Sequence, residues 1–179
     1  MIISRVARRY AGAIFASVDD DRKDAFFQDV SDLQSYIDQS KDLRNFFLSP
    51  IIERAKKLEI VEAIAKDRFG PQMLSVLRLL VDKDREALVE EILEALFDLR
   101  RQQLGIQPVT VSTAVPLDER LRNEVVSGLE GFLKGKVEVE YAVSEELKGG
   151  VVVRVEDTVY DGSIQRQLAR LRRKFSSVS

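Results

Sequence analysis

The stretch Leu96-Phe97-Asp98-Leu99-Arg100-Arg101-Gln102-Gln103-Leu104-Gly105-Ile106-Gln107-Pro108-Val109-Thr110-Val111-Ser112-Thr113-Ala114-Val115 changes its hydrophobic period part-way along. Before Gly105, the residues Leu88, Ile92, Leu96 and Leu99 recur every three or four positions, the stripe of an amphipathic helix from about Glu86 to Leu104. Gly105 stands where a glycine just past a helix commonly ends it. After it, Val109, Val111, Thr113 and Val115 alternate with Thr110, Ser112 and Ala114, which is strand periodicity. A boundary near Gly105 is therefore expected, with residues 1–104 and 105–179 as two domains.

Working back from that point, five more helices are expected. One runs from about Ser4 to Ser17, with Val6, Tyr10 and Ile14 on one side. Asp19-Asp20-Asp21 supplies a turn and capping carboxylates for the next, which carries Phe26, Val30, Leu33 and Ile37. A short helix, Lys41 to Leu48, stops before Ser49-Pro50, because the residue preceding proline avoids helical geometry. Helices from about Glu53 to Lys66 and from about Gln72 to Asp82 are separated by Phe69-Gly70-Pro71. Working forward, Leu117, Leu121, Val125, Leu129 and Phe132 return to helical spacing. Val137, Val139, Tyr141 and Val143 alternate as a half-exposed strand. Val151 to Val155 form another, and Thr158-Val159-Tyr160 suits a short hairpin piece. A last helix carries Ile164, Leu168, Leu171 and Phe175. The fold class is α+β: an N-terminal six-helix bundle followed by a small C-terminal α/β sandwich of order β-α-β-β-α. A domain of roughly 75 residues buries little surface, so the second is expected to be the weaker folder.

Composition narrows the function classes. The 179 residues carry 28 Lys and Arg against 30 Asp and Glu, a net charge of −2, which argues against a general polyanion binder. Neither cysteine nor histidine occurs. Thiolate zinc sites, cysteine nucleophiles, Ser-His-Asp triads and HExxH metal sites are thereby excluded. No phosphate loop is present. The nearest stretch, Gly131-Phe132-Leu133-Lys134-Gly135-Lys136-Val137, is one residue short between its glycines and has valine where Ser or Thr would hold magnesium. Gly149-Gly150 precedes a strand and makes no dinucleotide site. No catalytic, cofactor-binding or metal-ligating residues are assigned. No signal peptide or membrane span is visible, and the chain is expected to fold in the cytosol.

Two helices are more apolar than a one-sided surface helix requires. Met73, Leu74, Leu77, Leu80 and Val81 form one face of the fifth, Val76 widens it, and Leu79 points nearly opposite. Val6, Ala7, Tyr10, Ala11, Ala13, Ile14 and Phe15 cover more than half of the first. Such helices sit centrally in a bundle, or they border a groove that accepts an amphipathic partner helix. The last helix is basic, with Arg166, Arg170, Arg172, Arg173 and Lys174 following the final acidic residue, Asp161. It suits a solvated face, an acidic protein partner or, as an alternative function, an RNA-binding or transcription-associated module.

Val6-Ala7-Arg8-Arg9-Tyr10-Ala11-Gly12-Ala13-Ile14-Phe15 resembles the N-terminal motif of the delta-subunit family of bacterial F-type ATP synthases, relatives of the mitochondrial oligomycin-sensitivity-conferring protein. Phe47 to Pro50 with Lys56-Lys57, Val109 to Leu117, Leu147 to Val155, Asp161 to Ile164 and Leu168 to Leu171 resemble the family's later segments in order. The resemblance implies a non-catalytic stator subunit without cofactors. It would join the N-terminal helices of alpha subunits in the catalytic head to the b subunits of the peripheral stalk, holding the head while proton flow turns the rotor. It implies no nucleic acid partner, and a peripheral place on the cytoplasmic face of the bacterial cell membrane through the complex. Carried over by position, Tyr10, Ala13 and Leu79 fall where the family contacts an alpha-subunit helix. By the same resemblance, the second domain would meet the b subunits through the last helix.

Overall fold

The computed structural model describes residues 3–66, 68–144 and 146–176. It divides into two compact units, Met1–Arg100 and Arg101–Ser179. The chain is mixed, with helices throughout and a small four-stranded sheet in the second unit.

The first unit contains α1 (Arg5–Ser17), α2 (Lys23–Gln39), α3 (Lys41–Leu48), α4 (Arg54–Ala65), α5 (Pro71–Asp82) and most of α6 (Val89–Leu104). Its core draws on all six. Ala7, Ala11 and Ile14 face inward from α1, and Phe26, Val30, Leu33 and Ile37 from α2. Phe47 comes from α3, Val61 and Ala65 from α4, and Ile92, Leu93 and Leu96 from α6. The contribution of α5 is Met73, Leu77, Leu80 and Val81. Phe27 lies edge-on to Phe15 and Phe26, at centroid distances of 6.1 and 5.7 Å.

Two local readings change, and one buried charge comes to light. The Asp19-Asp20-Asp21 run forms a 3-10 turn at Asp20–Arg22, and neither that turn nor α2 has a side-chain cap. Asp20 instead accepts a 2.6 Å bond from the buried Lys23 ammonium, a stronger partner than a backbone amide. Residues Glu86–Leu88 are a 3-10 turn leading into α6, so the long helix proper begins at Val89. Lys57 is also buried, at 3% exposure. Its ammonium donates to the Ser49 carbonyl at 2.6 Å and to Glu86 Oε1 at 2.5 Å, tying the α3–α4 connection to the turn before α6.

In the second unit the order is β1 (Ile106–Thr113), α7 (Glu119–Leu133), β2 (Lys136–Val143), β3 (Val151–Val155), β4 (Thr158–Asp161) and α8 (Ile164–Ser176). The sheet order is β2-β1-β3-β4. β1 pairs parallel with β2, Val109 opposite Val139, and antiparallel with β3, Val109 opposite Val155. The order is thus β-α-β-β-β-α, one strand more than β-α-β-β-α. The extra strand is the piece at Thr158-Val159-Tyr160, folded back on β3 by the two-residue turn Glu156-Asp157. Pro108 lies outside the span paired to β3, so its missing N–H has only one neighbouring strand beside it. The alternation runs past the strand at Val115, which is 64% exposed where Thr113 Oγ1 bonds the Val115 carbonyl and Pro116 follows.

Gly149-Gly150 has a mechanical cause. Gly162 N–H donates to the Val151 carbonyl at 2.9 Å, and Ile164 N–H to the Gly149 carbonyl at 3.0 Å. These bonds pull the start of α8 against the glycines. A Cβ at Gly150, whose φ is +86°, would meet the Gly162 carbonyl oxygen at 2.5 Å.

Among the described residues, Val109 and Val111 are the only buried hydrophobics of the second unit, and α7 buries none. Leu121 and Phe132, on the apolar stripe of α7, are 42% and 64% exposed. The expected positions of Leu171 and Phe175 fall on side chains outside the described residues. With so little burial, sheet amides should open more easily than those of α2 and α6. Native-state hydrogen exchange should show lower opening free energies for β1–β3 than for Val30, Ile92 and Leu96; equal values would contradict this.

A second expectation concerns Lys57. The other carboxylate oxygen of Glu86, Oε2, is buried and makes no hydrogen bond among the described residues. Lys57→Ala should cost about 3–5 kcal/mol by leaving a buried charge unpaired. Lys57→Met with Glu86→Leu should recover most of that loss in denaturant unfolding. A single variant as stable as wild type would show that the pair contributes nothing.

Candidate functional site

The position of α1 follows from Ser4. Its hydroxyl accepts the Ala7 N–H at 3.2 Å and caps the helix, while its own N–H donates to Glu91 Oε2 of α6 at 2.8 Å. Hydrogen bonding to the Ser4 side chain, then to the Ser4 N–H, holds the Glu91 carboxyl below its usual pKa. α5 is positioned from its own N-terminus. Pro71 occupies the first turn, where a missing N–H costs nothing, and Gly70 N–H donates to Asp29 Oδ2 of α2 at 2.9 Å. Burial raises the Asp29 pKa, with that hydrogen bond opposing it.

With both helices held on their inner faces, their outer faces border an open groove of about 350 Å³. Tyr10, Ala13, Ile14, Val76 and Leu79 line it, together with Ser17, Val18, Gln72 and Ser75. Leu79 is 41% exposed, whereas Leu80 and Val81 beside it are 1% exposed. Ala13 is exposed and Tyr10 half-buried. The three residues singled out in the sequence therefore share one groove.

Two further concavities had no signal strong enough to single them out. A cleft of about 590 Å³ is lined by Arg5, Val6, Arg9, Tyr10, Ala13 and Arg85. Arg5 and Arg9 are one helical turn apart, which the sequence does show; Arg85 arrives from beyond α5, which it does not. Leu33, Tyr36, Phe46, Ile64 and Phe69 line another apolar hollow of about 360 Å³ between α2, α3 and α4.

The basic last helix is partly engaged within the chain. Arg166 lies 3.6 Å from the Asp161 carboxylate, and Arg173 Nε donates to the Ala169 carbonyl. Ser163 donates to Asp161 and, with Arg166, keeps that carboxyl below its usual pKa. The side chains of Arg172 and Lys174 lie outside the described residues.

The family profile described as ATP synthase delta (OSCP) subunit matches residues 6–175. The chain belongs to the ATP synthase delta (OSCP) subunit family. Members are structural, non-catalytic subunits of the ATP synthase, stator parts between catalytic head and peripheral stalk. The protein named ATP synthase subunit delta from Syntrophus aciditrophicus is 34% identical over 174 residues, covering 96% of each chain. Its counterpart from Carboxydothermus hydrogenoformans is 35% identical over 169 residues, covering 94% of this chain and 95% of the relative. A chain in the cryo-EM structure of the Toxoplasma gondii mitochondrial ATP synthase hexamer shares the fold, with a TM-score of 0.70 at 19% identity. The match covers 96% of this chain and 98% of that one. Among the described residues, no helix is long and apolar enough to cross a membrane.

The burial pattern separates two neighbouring leucines. Leu79→Asp places a charge at a half-open surface and should leave the melting temperature within a few degrees of wild type. Leu80→Asp buries an unpaired carboxylate and should unfold the first unit. Thermal denaturation followed by circular dichroism distinguishes them; equal effects would mean that Leu79 is part of the core.

Proposed function

We propose that the α1–α5 groove seats the N-terminal helix of an ATP synthase alpha subunit, with Tyr10, Ala13 and Leu79 against its apolar face. In this reading residues 1–104 are the six-helix bundle that grips the head. Residues 105–179 are the α/β domain that meets the b subunits of the peripheral stalk. The assembly lies at the cytoplasmic face of the bacterial membrane, attached through the complex, and the link resists rotation of the head while proton flow turns the rotor.

The observation that carries this reading is the exposed Leu79 beside Ala13 and Tyr10, on helices whose opposite faces are buried. Ala13 matters for its size: a small side chain lets a third helix approach closely, and a larger one would fill the groove. Each 100 Å² of apolar surface withdrawn from water contributes about 2.5 kcal/mol, less the cost of ordering the incoming helix.

Calorimetric titration with a synthetic peptide of the first 20 or so residues of the same organism's alpha subunit tests this. Saturable binding with a negative heat-capacity change is expected. Leu79→Asp should weaken it by about 2 kcal/mol or more, at least roughly 30-fold. A folded Leu79→Asp protein that binds like wild type would refute the groove assignment.

A further inference from the structure

Resting on that groove reading, we propose that the partner helix is recognised by charge as well as by its apolar face: it presents Asp or Glu side chains to the cationic cleft formed by Arg5, Arg9 and Arg85. The cleft and the apolar groove share Tyr10 and Ala13, so they form one continuous surface. The groove sets Ser17 and Val18, at the end of α1, near Gln72 at the start of α5. The cleft sets Arg85, beyond the end of α5, near Arg5 and Arg9 at the start of α1. The two helices thus run antiparallel, and the arginines gather at one end of the groove.

These guanidinium groups lack carboxylate partners among the described residues. Arg5 and Arg9 are exposed on α1, and among the described residues the Arg85 guanidinium bonds only the Asp84 carbonyl, at 3.0 Å. The acids nearest in sequence are committed elsewhere: Asp84 to Arg54, Glu86 to the buried Lys57 ammonium, and Glu91 to the Ser4 N–H. Three like charges lining one cleft repel one another, and a partner that brings carboxylates relieves this. The planar forks of arginine suit carboxylates bidentately. Seating a helix alongside also excludes water and strengthens the attraction. A partner with Lys or Arg at the same place is rejected.

Geometry sets where the acids stand. Arg5, Arg9 and Ala13 form one row on α1, and Arg5 is about 12 Å along the helix from Ala13 at 1.5 Å per residue. The carboxylates therefore lie about one to two turns beyond the side chain that covers Ala13 and Leu79.

The test titrates the full chain with three peptides: the alpha-subunit segment, a designed amphipathic helix carrying Glu at that offset, and the same helix carrying Lys there. The Glu peptide should bind roughly tenfold tighter than the Lys peptide near 50 mM salt, and the gap should narrow near 300 mM. The triple substitution Arg5→Gln, Arg9→Gln, Arg85→Gln, all at exposed sites, should remove the preference and keep the apolar part of the affinity. Leu79→Asp should weaken both designed peptides. If Glu and Lys peptides bind wild type equally, the charge proposal falls and the groove stands. If the Glu peptide binds through the arginines while the alpha segment does not, the charge proposal stands and the alpha assignment falls. If no peptide binds the folded protein, both fall. If millimolar inorganic phosphate perturbs the three arginine side chains in NMR spectra while the Glu peptide does not, the cleft is a small-anion site and the proposal is overturned.

Discussion

The burial of Met73, Leu77, Leu80 and Val81 along one side of α5 is the constraint on which the candidate site depends. A helix pinned by four such side chains cannot rotate about its axis without exposing them. At about 25 cal/mol per Å² of apolar surface, that exposure costs far more than covering Leu79 gains. Leu79 is therefore held outward. The same holds for α1, where Ala7 and Ala11, both fully buried, let the helix lie close to the core and leave Tyr10 and Ala13 on its other side. The groove is a by-product of two well-buried faces, and this makes it rigid: the side chains that line it share backbones with the core.

The two units solve the burial problem differently. The first surrounds its core with helices, and its polar ties, Ser4 to Glu91, Gly70 to Asp29 and Lys57 to Glu86, each connect segments distant in sequence. These ties add modest energy but settle which helix meets which. The second has one sheet, a thin buried layer, and apolar side chains left in water on α7 and α8. Phe132, largely exposed, and Tyr160, about half exposed, meet edge-to-face at 5.3 Å and partly shield each other.

Much of this was legible in the residues. The stripe Phe26, Val30, Leu33, Ile37 announces its own burial, because only helical spacing puts those positions on one face. Leu79 was placed outward by angle alone, since its neighbours define the inner face. Gly105 marked the change of period because the chain there needs a positive φ, observed at +64°. What was hidden depended on partners far along the chain. Nothing local says that Lys57 is buried, for its partners Ser49 and Glu86 lie in other segments. Asp19-Asp20-Asp21 resembled a cap because the competing ammonium of Lys23 cannot be weighed without geometry. Val115 continued an alternation that its loop does not honour. Arg85 joins Arg5 and Arg9 only because α1 and α5 run antiparallel.

The parallel pairing of β1 with β2 bears on how the chain is made. A strand leaving the ribosome can pair only with what has already emerged. β1 is the hub of its sheet, yet both strands that flank it are synthesised later, and α7 must form before β2 can return alongside. Until then β1 is a valine-rich segment with two open edges, the kind that joins other nascent chains. Pro108 removes one donor from those edges, and Thr110 and Ser112 keep one face polar. The helices upstream make their backbone hydrogen bonds locally and can form sooner, even though their packing joins distant segments. The order of synthesis thus leaves β1 as the interval of greatest exposure, and its composition moderates that exposure at the place where it lasts longest.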